Sequence, residues 1–175
     1  MKEMGHQTVR GAQLNDVEAI TRIYAHHVTS GTGSFEETPP APKEMATRFK
    51  AREQAGYPTL VCVTPDGEII GFAYAGVHKP RSAYRHTVED SVYVDPAYAG
   101  QGIGFQLMVE LIKCCTDLGY QQMMAVIGDS GNVGSIKLHE KLGFRMIGTA
   151  EGIGFKHGQW LDVVYMQLSL VPNAK

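Results

Sequence analysis

The stretch SVYVDPAYAGQGIGFQLM, residues 91–108, runs a β-branched segment into three alternating glycines and then into an apolar pattern of helical period. A strand, a turn stripped of side chains and a helix in that order dictate a β-α step at mid-chain. Glycine accepts positive φ and lets another molecule approach the main chain. A helix N-terminus adds free N–H groups and a partial positive charge. Gly100, Gly102 and Gly104 at the head of a helix therefore read as a seat for phosphate, with donors expected from Gln101, Gly102, Ile103, Gly104 and Phe105.

The flanking sequence sets the architecture around that step. A short strand is expected near Thr8 to Ala12. In LNDVEAITRIYAHHV, Asn15 reads as an N-cap with Glu18 three residues on, a capping box, and Val17, Ile20, Ile23, Tyr24 and Val28 recur at helical spacing. TSGTGSFEETPPAP is a loop whose one large apolar group is Phe35. A second helix is predicted from Pro42 to Ala55, with Gly56 placed to end it. TLVCVTPDGEIIGFAYAGV sets two strands about the turn Pro65-Asp66-Gly67, an antiparallel hairpin. RHTVEDSVYV follows as a fourth strand. The helix after the glycines carries Leu107, Met108, Leu111, Ile112 and Cys115 on one stripe and is closed by Gly119. QQMMAVI is a fifth strand, NVGSIKLHEKLGF a short helix ended by Gly143, and strands near Arg145 to Thr149 and Leu161 to Leu170 finish the chain. The order β-α-α-β-β-β-α-β-α-β-β predicts an α/β (α+β) fold. Its central sheet is mixed and mostly antiparallel, with helices on both faces, in a single domain spanning residues 1–175.

Composition removes several function classes. A formal net charge of −2, from 16 basic and 18 acidic residues, provides no basic face for a nucleic acid. The apolar runs fall far short of the roughly 20 residues that span a bilayer, and MKEMGHQTVRG carries no signal-peptide stretch. The expectation is a cytoplasmic protein with no membrane and no nucleic-acid partner. Cys62, Cys114 and Cys115 have neither disulfide-framework nor zinc-ligand spacing. The adjacent His26 and His27 would point about 100° apart on a helix, so no metal site is expected.

Three phosphate-binding devices compete for the glycine segment. A nucleoside-triphosphate loop needs Lys-Ser or Lys-Thr after the glycines, and neither follows. A dinucleotide fingerprint needs a sixth-position glycine, where Phe105 stands. What remains is a backbone cradle for a pyrophosphate such as that of coenzyme A. GQGIG opening a helix, with Asn132 in SGNVGSIKLHEKLGF 28 residues further on, resembles the acetyl-CoA-binding half of the GNAT superfamily of N-acetyltransferases. SGTGSFEETP, AYRHTVEDSVYV and GFKHGQWLDVVYMQ extend the resemblance over nearly the whole chain, to the phosphinothricin and methionine sulfoximine or sulfone N-acetyltransferases. Ala99 departs from the pattern, which usually begins with Gln or Arg.

The resemblance implies a GNAT-like acyl-CoA N-acyltransferase fold, acetyl-CoA as co-substrate without metal, and a small amino-acid-like amine as acceptor. It also implies a homodimer and a detoxifying role. Glu89 lies in a strand otherwise lined with Val and Tyr, where partial burial raises a carboxyl toward the range of a general base, and the resemblance puts the catalytic glutamate there. The alternative is a salt bridge to Arg81, Arg85 or His86. Asp90, by strand alternation, points to the opposite face and reads as a solvated partner. Val92, Tyr93 and Val94 are implied to meet the pantetheine arm through the main chain, with the Val94 N–H as oxyanion donor. Asn132 either caps its helix or holds the coenzyme. His139 stands where many relatives carry a tyrosine that protonates the thiolate; it is a general acid or merely a packed histidine. Lys141 meets a coenzyme phosphate or faces water.

For the acceptor, the loop HKPRSAYRH gathers Lys79, Arg81, Tyr84 and Arg85 around Ser82 and Ala83, just before Glu89, and such cations suit a carboxylate. Phe35 and Trp160 are expected as apolar walls. Two other functions remain open on the residues alone, acetylation of a different amine and a non-catalytic acyl-CoA sensor.

Overall fold

A computed structural model describes residues 6–171. Strand β1 (Thr8–Gly11) leads to helix α1 (Val17–Ser30) and helix α2 (Pro42–Gln54). The hairpin β2 (Thr59–Val63) and β3 (Ile69–Val77) follows, then β4 (Thr87–Val94) and helix α3 (Ile103–Asp117). Strand β5 (Gln122–Gly128), helix α4 (Val133–Lys141) and the hairpin β6 (Arg145–Lys156) and β7 (Gln159–Ser169) complete the chain. The predicted order of elements is the observed one, and the family of mixed α/β folds expected from it is what the chain adopts.

All seven strands join one sheet in the order β1-β2-β3-β4-β5-β7-β6. Every neighbouring pair is antiparallel except β4 and β5, which run parallel and pair only from Thr87 to Glu89 against Gln122 to Met124. Past Glu89 the two strands part. Strand alternation, with a register shift between Cys62 and Val63 that moves Ile70 to the side of Ala73, sorts the side chains of the hairpin by face. Leu60, Cys62, Ile70 and Ala73 pack against Ile103, Leu107, Met108 and Leu111 of α3. Val61, Ile69 and Phe72 pack against Ile20, Ile23 and Val28 of α1 and Phe49 of α2. The larger of these side chains, Leu, Ile, Val, Phe and Met, each contribute about 1.5–3 kcal/mol of transfer free energy, so a core covers each face of the sheet.

Several sequence expectations are corrected. The Asn15–Glu18 capping box does not form. A 3-10 turn at Leu14–Asp16 precedes α1, and Asp16 accepts from the Gln13 N–H at 2.7 Å while pairing with Arg10 at 2.7 Å. A doubly hydrogen-bonded carboxylate against a guanidinium outcompetes a neutral amide for that corner. The last two strands are longer than the predicted runs, because Gly158 and His157, both at positive φ, turn GFKHGQW into the tip of one hairpin. His26 and His27 are T-shaped neighbours with centroids 5.6 Å apart, and His27 Nε2 bonds the Val94 carbonyl at 2.8 Å. Among the described residues no helix is long and apolar enough to cross a membrane.

Candidate active site

Where β4 and β5 part, a cleft of about 810 Å³ opens, walled by Val92, Val94, Ile103, Phe105, Asn132 and Leu138. The main chain of β4 faces it for a reason of register. The Asp95 N–H donates to the Ile70 carbonyl on the β3 side, and alternate residues turn their polar groups to opposite edges. The N–H and C=O of Val92 and the N–H of Val94 therefore look across the gap, with no β5 partner paired to them. Tyr93 bonds into the β3 ladder, while its ring packs on Tyr24, Phe72 and His27.

At the mouth of this cleft Gly100 and Gly102 have φ of 75° and 80°, the left-handed region, and a Cβ built on either meets nothing within 4 Å. Both are glycines for conformation and for open approach. Gly104 differs, since its Cβ would lie 3.3 Å from Leu138 Cδ2, so its bareness also lets α4 close on α3. The first bond inside α3 runs from the Gln106 N–H to the Gly102 carbonyl. The N–H groups of Ile103, Gly104 and Phe105 therefore project beyond the helix end. Gln101 and Ala99 lie on the rim, with Gln101 Nε2 at 3.5 Å from the Ala97 carbonyl. Asn132 caps α4, accepting from the Ser135 N–H at 3.2 Å, and still lines the cleft. Lys141 Nζ sits 4.5 Å over the Phe105 ring, at the same end. Three free amides and a nearby ammonium suit a diphosphate.

The opposite face of β4 carries Glu89, with 34% of its side chain exposed. Burial pushes its carboxyl above the ordinary range, and a hydrogen bond from His78 partly offsets that rise. The partner is His78 Nδ1 at 3.0 Å, and none of the predicted Arg81, Arg85 or His86. His78 was invisible as a partner in the sequence because it lies eleven residues away, brought alongside by the register Gly76↔Glu89. Its ring meets Tyr84 edge-on at 5.9 Å, and Lys79 lies 5.3 Å over the Tyr84 ring. Ser82 to Tyr84 form a short 3-10 turn, and Lys79, Arg81, Ser82, Ala83 and Arg85 are exposed around it. Glu89 and Ser91 line a second pocket of about 440 Å³, and Ser91 lines the large cleft as well.

Asp90 corrects the expectation of a solvated residue. It does point away from Glu89, as alternation requires, but it is 7% exposed and bonds His139 Nε2 at 2.7 Å. His139 Nδ1 meets the Ser135 carbonyl at 2.7 Å, so both ring nitrogens face acceptors. Burial opposes charge on His139, but the hydrogen bond and charge of Asp90 outweigh it and raise the pKa above the ordinary imidazole value. Asp90 Oδ1 has no hydrogen-bond partner. Both residues line the large cleft at its closed end.

The loop after α1 straps the far end of the cleft. Thr32 Oγ1 donates to Asp129 at 3.0 Å, and the buried Lys156 donates to the carbonyls of Gly31 and Ser34 at 2.8 and 2.7 Å. Lys156 escaped the sequence reading, where it is one lysine in a turn. Phe35 is seated by missing side chains: a Cβ on Gly154 would fall 2.2 Å, and one on Gly128 2.9 Å, from its ring. Phe35, so seated, lines neither cavity, which corrects its expected place as an apolar wall. Trp160 stands opposite Phe155 in the hairpin, 71% exposed, and lines neither cavity either. The cysteines are free, and burial pushes the Cys115 thiol up to about 12, which leaves it unreactive. Among the described residues no group of three or more His, Cys, Asp or Glu is placed to hold a metal ion.

A parallel pair forced open between two antiparallel halves, with a glycine-led helix at the opening, is the architecture shared with acetyltransferases. Residues 20–144 match the model of the acetyltransferase (GNAT) family, and the chain belongs to that family. It is 48% identical over 163 residues to a phosphinothricin N-acetyltransferase of Alcaligenes faecalis, covering 93% of this chain and 82% of the relative. It is 40% identical over 166 residues to an L-methionine sulfoximine/L-methionine sulfone acetyltransferase of Pseudomonas paraeruginosa, covering 95% of this chain and 96% of that one. The crystal structure of a GNAT superfamily phosphinothricin acetyltransferase from Sinorhizobium meliloti in complex with AcCoA superposes with a TM-score of 0.90 at 45% identity, covering 93% of this chain and 88% of that one.

Proposed function

We propose that this protein moves the acetyl group of acetyl-CoA to the α-amine of a small amino-acid analogue, with methionine sulfoximine, methionine sulfone and phosphinothricin as the acceptors its relatives' names support. The observation that carries the reading is Glu89, half-buried and raised in pKa, in a second pocket two residues along β4 from Ser91, which lines both that pocket and the glycine-mouthed cleft. The relative with AcCoA bound supports the coenzyme for the large cleft. Ile103, Gly104 and Phe105 offer amides to the diphosphate, Gly100, Gln101 and Gly102 leave room for it, Asn132 and Lys141 flank it, and the edge of Val92, Tyr93 and Val94 receives the pantetheine arm.

An α-amino acid enters largely as an ammonium ion, and its nitrogen has no lone pair until a proton leaves. Glu89 takes that proton, directly or through a water, with Oε2 already held by His78 and Oε1 left for the amine. The nitrogen attacks the thioester carbonyl, whose oxygen gathers charge against the Val94 N–H. One such donor is worth about 3 kcal/mol. As the carbon–sulfur bond breaks, His139, whose pKa the Asp90 contact raises, releases its Nε2 proton from Asp90 to the thiolate, and the second proton lost by the nitrogen returns through solvent to His139. Glu89 returns its own proton to water, so the cycle releases an amide, a free thiol and one proton. Transfer is direct, in a ternary complex, and needs no acyl-enzyme. The basic loop from Lys79 to Arg85 borders the acceptor end through His78, which meets both Tyr84 and Glu89.

The proposal extends to a cytoplasmic, detoxifying homodimer. Exposed Ile153, Phe155 and Trp160 on the β6–β7 hairpin support a second copy as their cover. Acetyl-CoA turnover across an amine panel, followed as thiol release, is the test. Acetylation of the three analogues above polyamines and peptide N-termini is the expected result; coenzyme binding without release for any amine refutes it.

A further inference from the structure

The pocket of about 440 Å³ on the Glu89 face is lined by Arg52, Tyr57, Tyr74, Gly76, Glu89 and Ser91. Its cation is the unexplained member. Arg52 lies in the last turn of α2 with its guanidinium carbon 4.1 Å over the centre of the Tyr74 ring. Among the described residues its side chain makes one bond, a long one, Nε to Thr59 Oγ1 at 3.5 Å. The neighbouring carboxylates are spoken for, since Glu36 and Glu44 both pair with Arg48. Among the described ion pairs none involves Arg52, although burial there strips a guanidinium of hydration and depresses its pKa. A half-buried Arg stacked by one face, lining a cavity and paired with no carboxylate among the described residues, is a site built for an anion.

The register states where that anion sits relative to the base. Tyr74 pairs with Ser91 and Gly76 with Glu89, so all four project from one face, with Arg52 above the first pair and the carboxylate at the second. Residues two apart on a strand are separated by about 6.5–7 Å, and the diagonal across strands is about 7–8 Å. Between them the floor is bare, because a Cβ on Gly76 would meet nothing within 4 Å. The ammonium and carboxylate of an α-amino acid hang from one carbon, and each reaches an opposite charge over a hydrogen bond of about 2.8 Å. A zwitterion therefore spans the gap.

We infer that Arg52 is the carboxylate clamp of the acceptor, holding the α-carboxylate of an amino acid over Tyr74 while its α-amine lies against Glu89. The clamp makes the enzyme select α-amino acids over amines lacking the acid. The exposed Lys79, Arg81 and Arg85 then form an outer rim that attracts the anion without fixing it. This inference rests on the acceptor reading of the Glu89 face.

The test compares L-methionine sulfone with its carboxamide, a substrate identical but for the charge. Wild type is expected to favour the acid by about 10²-fold or more in kcat/KM, as a site left with an unpaired charge rejects the analogue. Arg52→Gln keeps a planar group on Tyr74 and removes the charge. It should collapse that ratio at least about tenfold, chiefly through the acceptor KM, with the KM for acetyl-CoA unchanged within about twofold. Arg52→Lys should keep part of the preference. A purely structural Arg52 would lower both substrates alike, and an unchanged ratio in Arg52→Gln overturns the clamp while leaving the acceptor reading intact. A wild type that acetylates neither compound overturns both.

Discussion

The two faces of β4 hold adjacent carboxylates in opposite states. Asp90 is closed in, bonded to His139 at 2.7 Å, and its pair stands at the end of a cleft whose mouth is made of main chain. Glu89 is a third exposed, touched on one oxygen by His78, and stands in a pocket made of side chains. One residue of offset decides the difference, because α3 and α4 cover one face to the edge of the splay while the C-terminal end of α2 leaves the other face open. Asp90 is therefore closed off by a histidine, while one oxygen of Glu89 stays open to its pocket.

The sharpest break of this comparison is Asp90→Asn. Removing one partner of a buried ion pair costs about 3–5 kcal/mol, and thermal unfolding should register the loss at pH 5. The folded pKa of His139 is raised, so the pair's contribution is fully present below the unfolded value of about 6.5. It fades as pH rises through the folded value, and the gap between wild type and variant should narrow in that window. A gap independent of pH would show that His139 does not carry the charge.

Glu89→Gln is the mirror experiment. Turnover should fall about 10²-fold or more, with coenzyme affinity nearly unchanged and a melting temperature within about 2 °C of wild type. Equal turnover in steady-state assays would strip Glu89 of its role. On the main-chain side, Gly102→Ala forces a Cβ into left-handed backbone at a cost of about 1–2 kcal/mol. Calorimetric affinity for acetyl-CoA should weaken about tenfold while the acceptor KM stays put. The mildest change is His78→Phe. Losing a hydrogen bond that lowers the Glu89 pKa moves the acid limb of kcat/KM to higher pH, and an unmoved limb would mean that the His78 contact does not govern the base.

Legibility followed the range of the interactions involved. Gly100, Gly102, Asn132 and the helix stripes were readable because φ, capping and period are local properties of a few residues. The edges of the last hairpin were not, because GFKHGQW looks like a loop until Lys156 is pinned under the strap by two carbonyls. Asn15 misled for the same reason: a capping signal lost to Arg10, which reaches Asp16 only once β1 is in place. Trp160 was expected at a wall and stands exposed, because hairpin register, not hydrophobicity, chose its neighbour.

The chain alone determined a strand, a glycine turn and a helix that leaves three amides bare, since backbone conformation is written residue by residue. Only the tertiary structure decided that Asp90 would meet a histidine 49 residues away, Glu89 one eleven residues back, and that Arg52 would share a pocket with Glu89. Strand register and helix packing bring such groups together, and a charge takes its chemistry from whatever finally lies beside it.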